Sequence, residues 1–101
     1  MHRLLVTYPA PADAARFMDY YVGKHVPLAR MLPGLLGCRW MQPAALGPGQ
    51  PAHFLIFEAD FASEASMMAA LGSPEGAQVA ADVPNYSPNG ASLMHYAVPE
   101  R

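Results

Sequence analysis

The order of hydrophobic segments predicts an α+β protein of the ferredoxin-like type, β-α-β-β-α-β, with a four-stranded antiparallel sheet carrying its helices on one face. Three observations lead there. Four short segments are rich in β-branched and aromatic residues, three of them ending at a proline and the third in order closing on a charged pair. Two of the intervals between them hold helix-forming segments, one with apolar residues at three- and four-residue steps and one rich in Ala and Met behind serine caps. The whole chain has 101 residues, which fits one domain, 1–101, with one core.

His2 to Tyr8 (HRLLVTY) reads as the first strand, stopped by Pro9 and Pro11, which cannot donate to a ladder. From Asp13 to Leu32 the residues Phe17, Tyr20, Tyr21, Leu28, Met31 and Leu32 keep a helical spacing, with Asp13 placed to cap the first amides. Gly23 and Pro27 interrupt that spacing. A mid-helix proline removes one backbone bond and crowds the carbonyl four residues earlier, so two helical pieces with a bend near Lys24 to Val26 are expected, tilting His25 off the regular face. Pro33-Gly34 ends the helix, and Leu35 to Gln42 (LLGCRWMQ) is the second strand. Pro43 to Pro51 is an uncharged hairpin loop leading to the third strand, Ala52 to Asp60 (AHFLIFEAD). Ser63 caps a helix over Glu64 to Leu71. Ser73-Pro74-Glu75 restarts one that runs to about Ala81, with serine cap, first-turn proline and acid in the favoured order. Asp82 to Gly90 is a proline-rich loop, and Ala91 to Val98 (ASLMHYAV) is the last strand.

Composition narrows the function. The chain is 52% hydrophobic and 14% charged, which favours a compact globule with apolar surface left over for a partner. A formal net charge of −2 with six basic residues supplies no field for phosphates, so neither nucleic acid nor a polybasic membrane surface is an expected partner. The longest uncharged stretch, from Trp40 up to the charge at Glu58, is broken by three prolines and two glycines and cannot span a bilayer. Cys38 is the one cysteine, and the first twenty residues hold no sustained apolar run, so a reducing cytoplasm is expected. Both alternating residue sets of the strands are largely apolar, for example Leu4, Val6 and Tyr8 against Leu5 and Thr7, whereas a half-wetted sheet alternates more cleanly. The bare sheet face is therefore expected to pack on a second copy, giving a two-fold homodimer.

The residues able to do chemistry are few. His2, His53 and His95 fall on three strands and His25 on a helix, with no HxH, HxxxH or CxxC spacing, so no metal and no cofactor is expected. Cys38 reads as a small buried thiol rather than a nucleophile. His25 is the candidate for proton transfer: burial beside Tyr21 would keep it neutral, as a general base near pH 7 requires. A histidine that pins the kink is the other reading. Asp82 and Asn85 flank Pro84 and offer a carboxylate and an amide at the mouth of a cleft, although Asp82 equally suits a helix-end turn. Tyr8, Trp40, Phe54 or Phe57, and Tyr96 put aromatic rings on all four strands, where they line a cleft or simply fill the core. Methionines such as Met67 and Met68 would let that lining adapt.

Four segments together resemble one family: Tyr20-Tyr21 with His25-Val26-Pro27-Leu28, then Leu32-Pro33-Gly34-Leu35, then Ser73-Pro74-Glu75-Gly76, then Ala81-Asp82-Val83-Pro84-Asn85-Tyr86. In order and spacing they resemble the EthD family of the dimeric α+β barrel superfamily, over nearly the whole chain. The resemblance implies a ferredoxin-like monomer and a dimer with sheets packed face to face. It also implies a link to bacterial breakdown of fuel ethers, beside relatives that include polyketide cyclases, muconolactone isomerase, cofactor-independent monooxygenases and stress-associated proteins. In cyclase-like relatives a first-helix histidine lies in a cavity between helices and sheet, and the H-x-P match carries that role to His25.

Two expectations follow. In one, neutral His25 removes a proton from a hydrophobic, carbonyl-activated metabolite without a cofactor, while Asn85, Tyr8 or Tyr86 stabilises the enolate oxygen and Tyr21, Trp40 and Asp82 complete the binding site. In the other, the chain is a non-catalytic accessory or binding protein of a degradation pathway such as ether catabolism.

Overall fold

β1 (His2–Tyr8) is the strand around which the sheet is built, paired antiparallel with β3 (Leu55–Phe61) on one side and β4 (Ser92–Ala97) on the other. β2 (Gly37–Met41) joins the far edge of β3, so the spatial order is β2-β3-β1-β4. The computed structural model describes residues 1–99. All three ladders are antiparallel, as the two split βαβ crossovers require.

The expected elements are present with shifted ends. β2 begins at Gly37 rather than Leu35, and β3 begins at Leu55 rather than Ala52. In both cases the flanking residues already bond to the sheet, Leu36 N–H to the Asp60 carbonyl at 2.8 Å and Phe54 N–H to that of Tyr8 at 2.9 Å. The first helical segment divides into α1 (Ala14–Tyr20), a π-helical turn (Tyr21–His25) and α2 (Val26–Ala29). Asp13 caps α1 by accepting from Arg16 N–H at 3.0 Å. The expected bend is thus a widened turn in which Val26 N–H reaches back five residues to the Tyr21 carbonyl. Pro27 has no N–H to offer Gly23, which fits the switch of register there. The extra residue keeps His25 under Tyr21 on the buried face, their rings stacked 5.5 Å apart, instead of tilting it away.

α3 (Glu64–Leu71) and α4 (Pro74–Asp82) start where the serines predict, with Ser63 accepting from Ser66 N–H and Ser73 from Gly76 N–H, both at 3.1 Å. Part of the proline-rich loop continues α4 as a 3₁₀ turn over Val83–Asn85. Gly76 lies against the end of α3 so closely that a β-carbon there would sit 2.4 Å from the carbonyl oxygens of Ala70 and Leu71.

The register sorts the side chains. Leu4, Val6 and Tyr8 of β1, Cys38 and Trp40 of β2, and Leu55, Phe57, Ala59 and Phe61 of β3 face the helices. There they meet Phe17, Tyr21, Val26, Leu32, Met67 and Ala70 in one core. Full burial of side chains such as Leu55, Phe61 and Met67 is worth about 1.5–3 kcal/mol each. β4 is exposed along its length. The opposite face holds Leu5, Met41, Ile56, Met94 and Tyr96 around an ion network that the sequence pattern does not reveal. Arg3 grips Asp60 at 2.7 and 3.2 Å, while Arg39 joins Glu58 at 2.8 Å and Asp60 at 2.9 Å. The hydrogen bond from Arg3, helped by Arg39, holds the buried Asp60 carboxyl below the usual carboxylate range. Among the described residues no helix is long and apolar enough to cross a membrane.

Candidate active site

His25 and Asp82 meet where the π-turn passes the end of α4, with Nδ1 of the imidazole 2.9 Å from a carboxylate oxygen of Asp82. The other carboxylate oxygen accepts from Tyr20 Oη at 2.6 Å and from Asn85 Nδ2 at 3.0 Å. Asp82 is therefore buried behind the cleft rather than set at its mouth, and its ligands come from α1, the π-turn and the 3₁₀ turn. Burial opposes its ionisation, but the bonds from Tyr20, Asn85 and His25 together outweigh burial and keep its pKa below the ordinary value. For His25 the balance runs the other way: burial prevails over the nearby carboxylate and lowers the pKa, favouring the neutral ring. With Nδ1–H donating to Asp82, the lone pair of a neutral imidazole resides on Nε2, the arrangement of an oriented general base.

Three phenols crowd this histidine. Tyr86 packs its ring 4.6 Å from that of His25, and its Oη lies 2.7 Å from Tyr8 Oη, either oxygen being able to donate. Tyr21 stands with its ring 5.6 Å from Tyr8 and 5.5 Å from Tyr86. Among the described residues Tyr21 Oη is the one fully enclosed side-chain polar atom without a hydrogen-bond partner. Burial raises the pKa of Tyr8, Tyr21 and Tyr86, so all three remain protonated donors. Three hydroxyl protons and one hydrogen bond leave donor capacity unspent inside an apolar shell of Phe17, Trp40 and the aromatic rings themselves.

A cavity of about 560 Å³ adjoins the cluster, lined by Pro11, Arg16, Phe17, Tyr20, Asn85 and Tyr86 among others. Of the residues singled out from sequence, Asn85 and Tyr86 stand on its wall. His25 is 4% exposed and sits behind them, so it does not face the cleft directly. Tyr8 and Tyr21 lie deeper still, and Trp40 touches the group through the edge of Tyr21, at 6.3 Å between rings. Tyr20 escaped the sequence reading as a site residue, because at helical spacing it reads as one more core aromatic. Its only signal is the pair Tyr20-Tyr21, since neighbours in a helix point about 100° apart and only one of them can sit at the centre of the buried face.

Two of the four histidines, far apart in sequence, meet in the sheet. Strand pairing brings His2 of β1 and His95 of β4 together, with Nε2 and Nδ1 2.8 Å apart, and Glu64 at the start of α3 joins them. The sequence holds no metal-ligand spacing along the chain, and neighbours across the β1–β4 ladder carry no such spacing to find.

A four-stranded antiparallel sheet in the order β2-β3-β1-β4, with helices on one face, defines an α+β protein of the ferredoxin-like class. The chain belongs to the EthD family, whose EthD domain profile matches residues 10–88. An uncharacterized 11.0 kDa protein from the thcB-thcC intergenic region of Rhodococcus erythropolis is 33% identical over 94 residues, covering 93% of this chain and 91% of that one. The crystal structure of an EthD family protein from Bacillus halodurans superimposes with a TM-score of 0.91 at 24% identity, over 98% of this chain and 99% of that one. At lower similarity the same fold occurs in a dimeric ferredoxin-like protein of unknown function from Thermobifida fusca, with TM-score 0.72, 13% identity and coverage of 96% and 90%. It occurs as well in SnoaB, a cofactor-independent oxygenase from Streptomyces nogalater, with TM-score 0.70, 12% identity and coverage of 99% and 94%.

Proposed function

We propose that this chain binds a hydrophobic, carbonyl-containing metabolite beside Tyr20, Asn85 and Tyr86 and moves a proton on it by cofactor-independent acid–base chemistry. One observation carries the reading: a neutral imidazole oriented by a buried carboxylate lies against buried phenols whose donor capacity is unspent. An enolate oxygen needs fixed hydrogen-bond donors in a dry setting, and Tyr86, reaching from the cavity wall to His25, is placed to supply one. Access of substrate to Nε2 then requires Tyr86 or Tyr20 to give way, a side-chain movement at the rim rather than a change of fold. Hydrophobic carbonyl compounds fit a lining of prolines and aromatics with two amides, Asn85 and Asn89, one carboxylate, Asp13, and one guanidinium, Arg16. The chain acts as a homodimer through its open sheet faces, a reading supported by the apolar side chains there and by the dimeric neighbour of the same fold.

The test is exchange of the α-hydrogens of hydrophobic cyclic monoketones, which exchange slowly by themselves, with D₂O, followed by NMR beside direct binding measurements. The expected result is acceleration by the wild-type protein that falls roughly 10²-fold or more in His25→Asn with binding retained. Binding without acceleration would instead identify a carrier that holds such metabolites for another enzyme, and absence of both rejects the reading.

A further inference from the structure

We propose that His2, His95 and Glu64 form a binding site for a divalent transition-metal ion of the Zn²⁺ type, separate from the His25 cluster. The three side chains come from three elements that only the fold unites, the first residue of β1, the middle of β4 and the first residue of α3. Their ligand atoms, one ring nitrogen from each histidine and a carboxylate oxygen, all lie within 4.8 Å of one another. Ligands bonded to zinc at about 2.1 Å in tetrahedral array stand about 3.3 Å apart, between that outer limit and the closest approach. His2 Nε2 and His95 Nδ1 are 2.8 Å apart, so a single proton bridges them, and a cation taking its place needs them to part by about half an ångström.

The chemistry of the set is selective. Two imidazoles and one carboxylate suit zinc and its first-row neighbours, whereas calcium and magnesium prefer oxygen alone. His2 is buried, while His95 and Glu64 are exposed, so the site has one enclosed ligand and an open approach. Ser63, capping α3 immediately before Glu64, fixes where that carboxylate leaves the helix. Three protein ligands leave a fourth position for solvent. Tyr8, at the other end of β1, is six residues from His2 and hence about 20 Å away along the strand, so the ion would not touch the acid–base cluster. Bound there, it would tie the edge strand β4 and the start of α3 to the central strand.

The experiment is calorimetric titration of the untagged, full-length protein with Zn²⁺, paired with visible spectra of the Co²⁺ form. One ion per chain is expected, with the d–d bands of a four- or five-coordinate Co²⁺ site. His95→Ala and Glu64→Gln, both at exposed positions and checked for folding by circular dichroism, each weaken binding at least tenfold, and His53→Ala leaves it unchanged. No stoichiometric binding would overturn the proposal and leave a plain histidine–histidine hydrogen bond. So would binding that ignores His95→Ala and Glu64→Gln, or that is lost in His25→Asn instead.

Discussion

His25 is held between two opposed influences, burial disfavouring its charged form and the Asp82 carboxylate favouring it, with burial the stronger. An unfolded chain takes up this proton near the ordinary value of 6.5, before the folded one does. Stability contributed by the neutral ring is therefore complete above about pH 6.5 and is lost as the pH falls toward and through the lower folded value. Asp82 acts in the same direction further down: its pKa is depressed from 3.8, so its contribution is complete above that value and disappears as the pH falls through the folded one. Melting temperature measured against pH should decline on acidification in two stages, and His25→Asn should remove the upper stage while sparing the lower. A wild-type Tm that stays level just below pH 6.5 would contradict a neutral, buried His25. The histidine itself was legible from its place before Val26-Pro27. Its partner was visible only as one carboxylate near a proline, because 57 residues of chain separate the two and nothing local joins them.

The segments between strands show how local chemistry and packing divide the work. Ser63 and Ser73 mark helix starts through side-chain bonds to amides three residues on, an interaction written within four consecutive residues. The π-turn is different: Pro27 announces an interruption, but whether the chain kinks or widens depends on what Tyr21 and His25 bury against. Gly76 and Gly23 make the contrast measurable. Gly76→Ala should destabilise the protein by about 1–3 kcal/mol, since its new methyl meets two backbone carbonyls that cannot move aside. Gly23→Ala, in the π-turn with nothing within 4 Å of the added carbon, should instead stabilise it by about 0.5–1 kcal/mol. Urea unfolding of the two variants reads both values, and a Gly76→Ala protein stabilised as much as Gly23→Ala would mean that helix propensity rather than the α3–α4 contact controls position 76.

The molecule as a whole has two unequal sheet faces. One is covered by helices, and the other presents Leu5, Met41, Ile56, Met94 and Tyr96 around a tightly paired network of two arginines and two carboxylates. Buried charges are tolerated only when paired, and these four are paired within the chain, so a second sheet can cover them without leaving an orphan. Association through this face should be lost when an unpaired charge is placed among its apolar residues. Met94→Asp is expected to convert a dimer of the 10.9 kDa chain into a monomer in light scattering after size exclusion, while leaving the far-ultraviolet circular dichroism unchanged. A Met94→Asp protein that still runs as a dimer would place the interface elsewhere.

Secondary structure, its order and the family motifs were readable along the chain, because caps, prolines and alternation act over a few residues. The βαββαβ order follows from them with little freedom left. Which side chains share a site was not readable. One residue of register decides whether Tyr8 or Thr7 faces the helices, and the histidines at positions 2 and 95 meet only through the β1–β4 ladder. The junction of Asp82 with Tyr20, His25 and Asn85 likewise exists only after α4 has packed against the first helical segment. Local interactions select elements, whereas contacts between distant segments assemble the groups that can do chemistry.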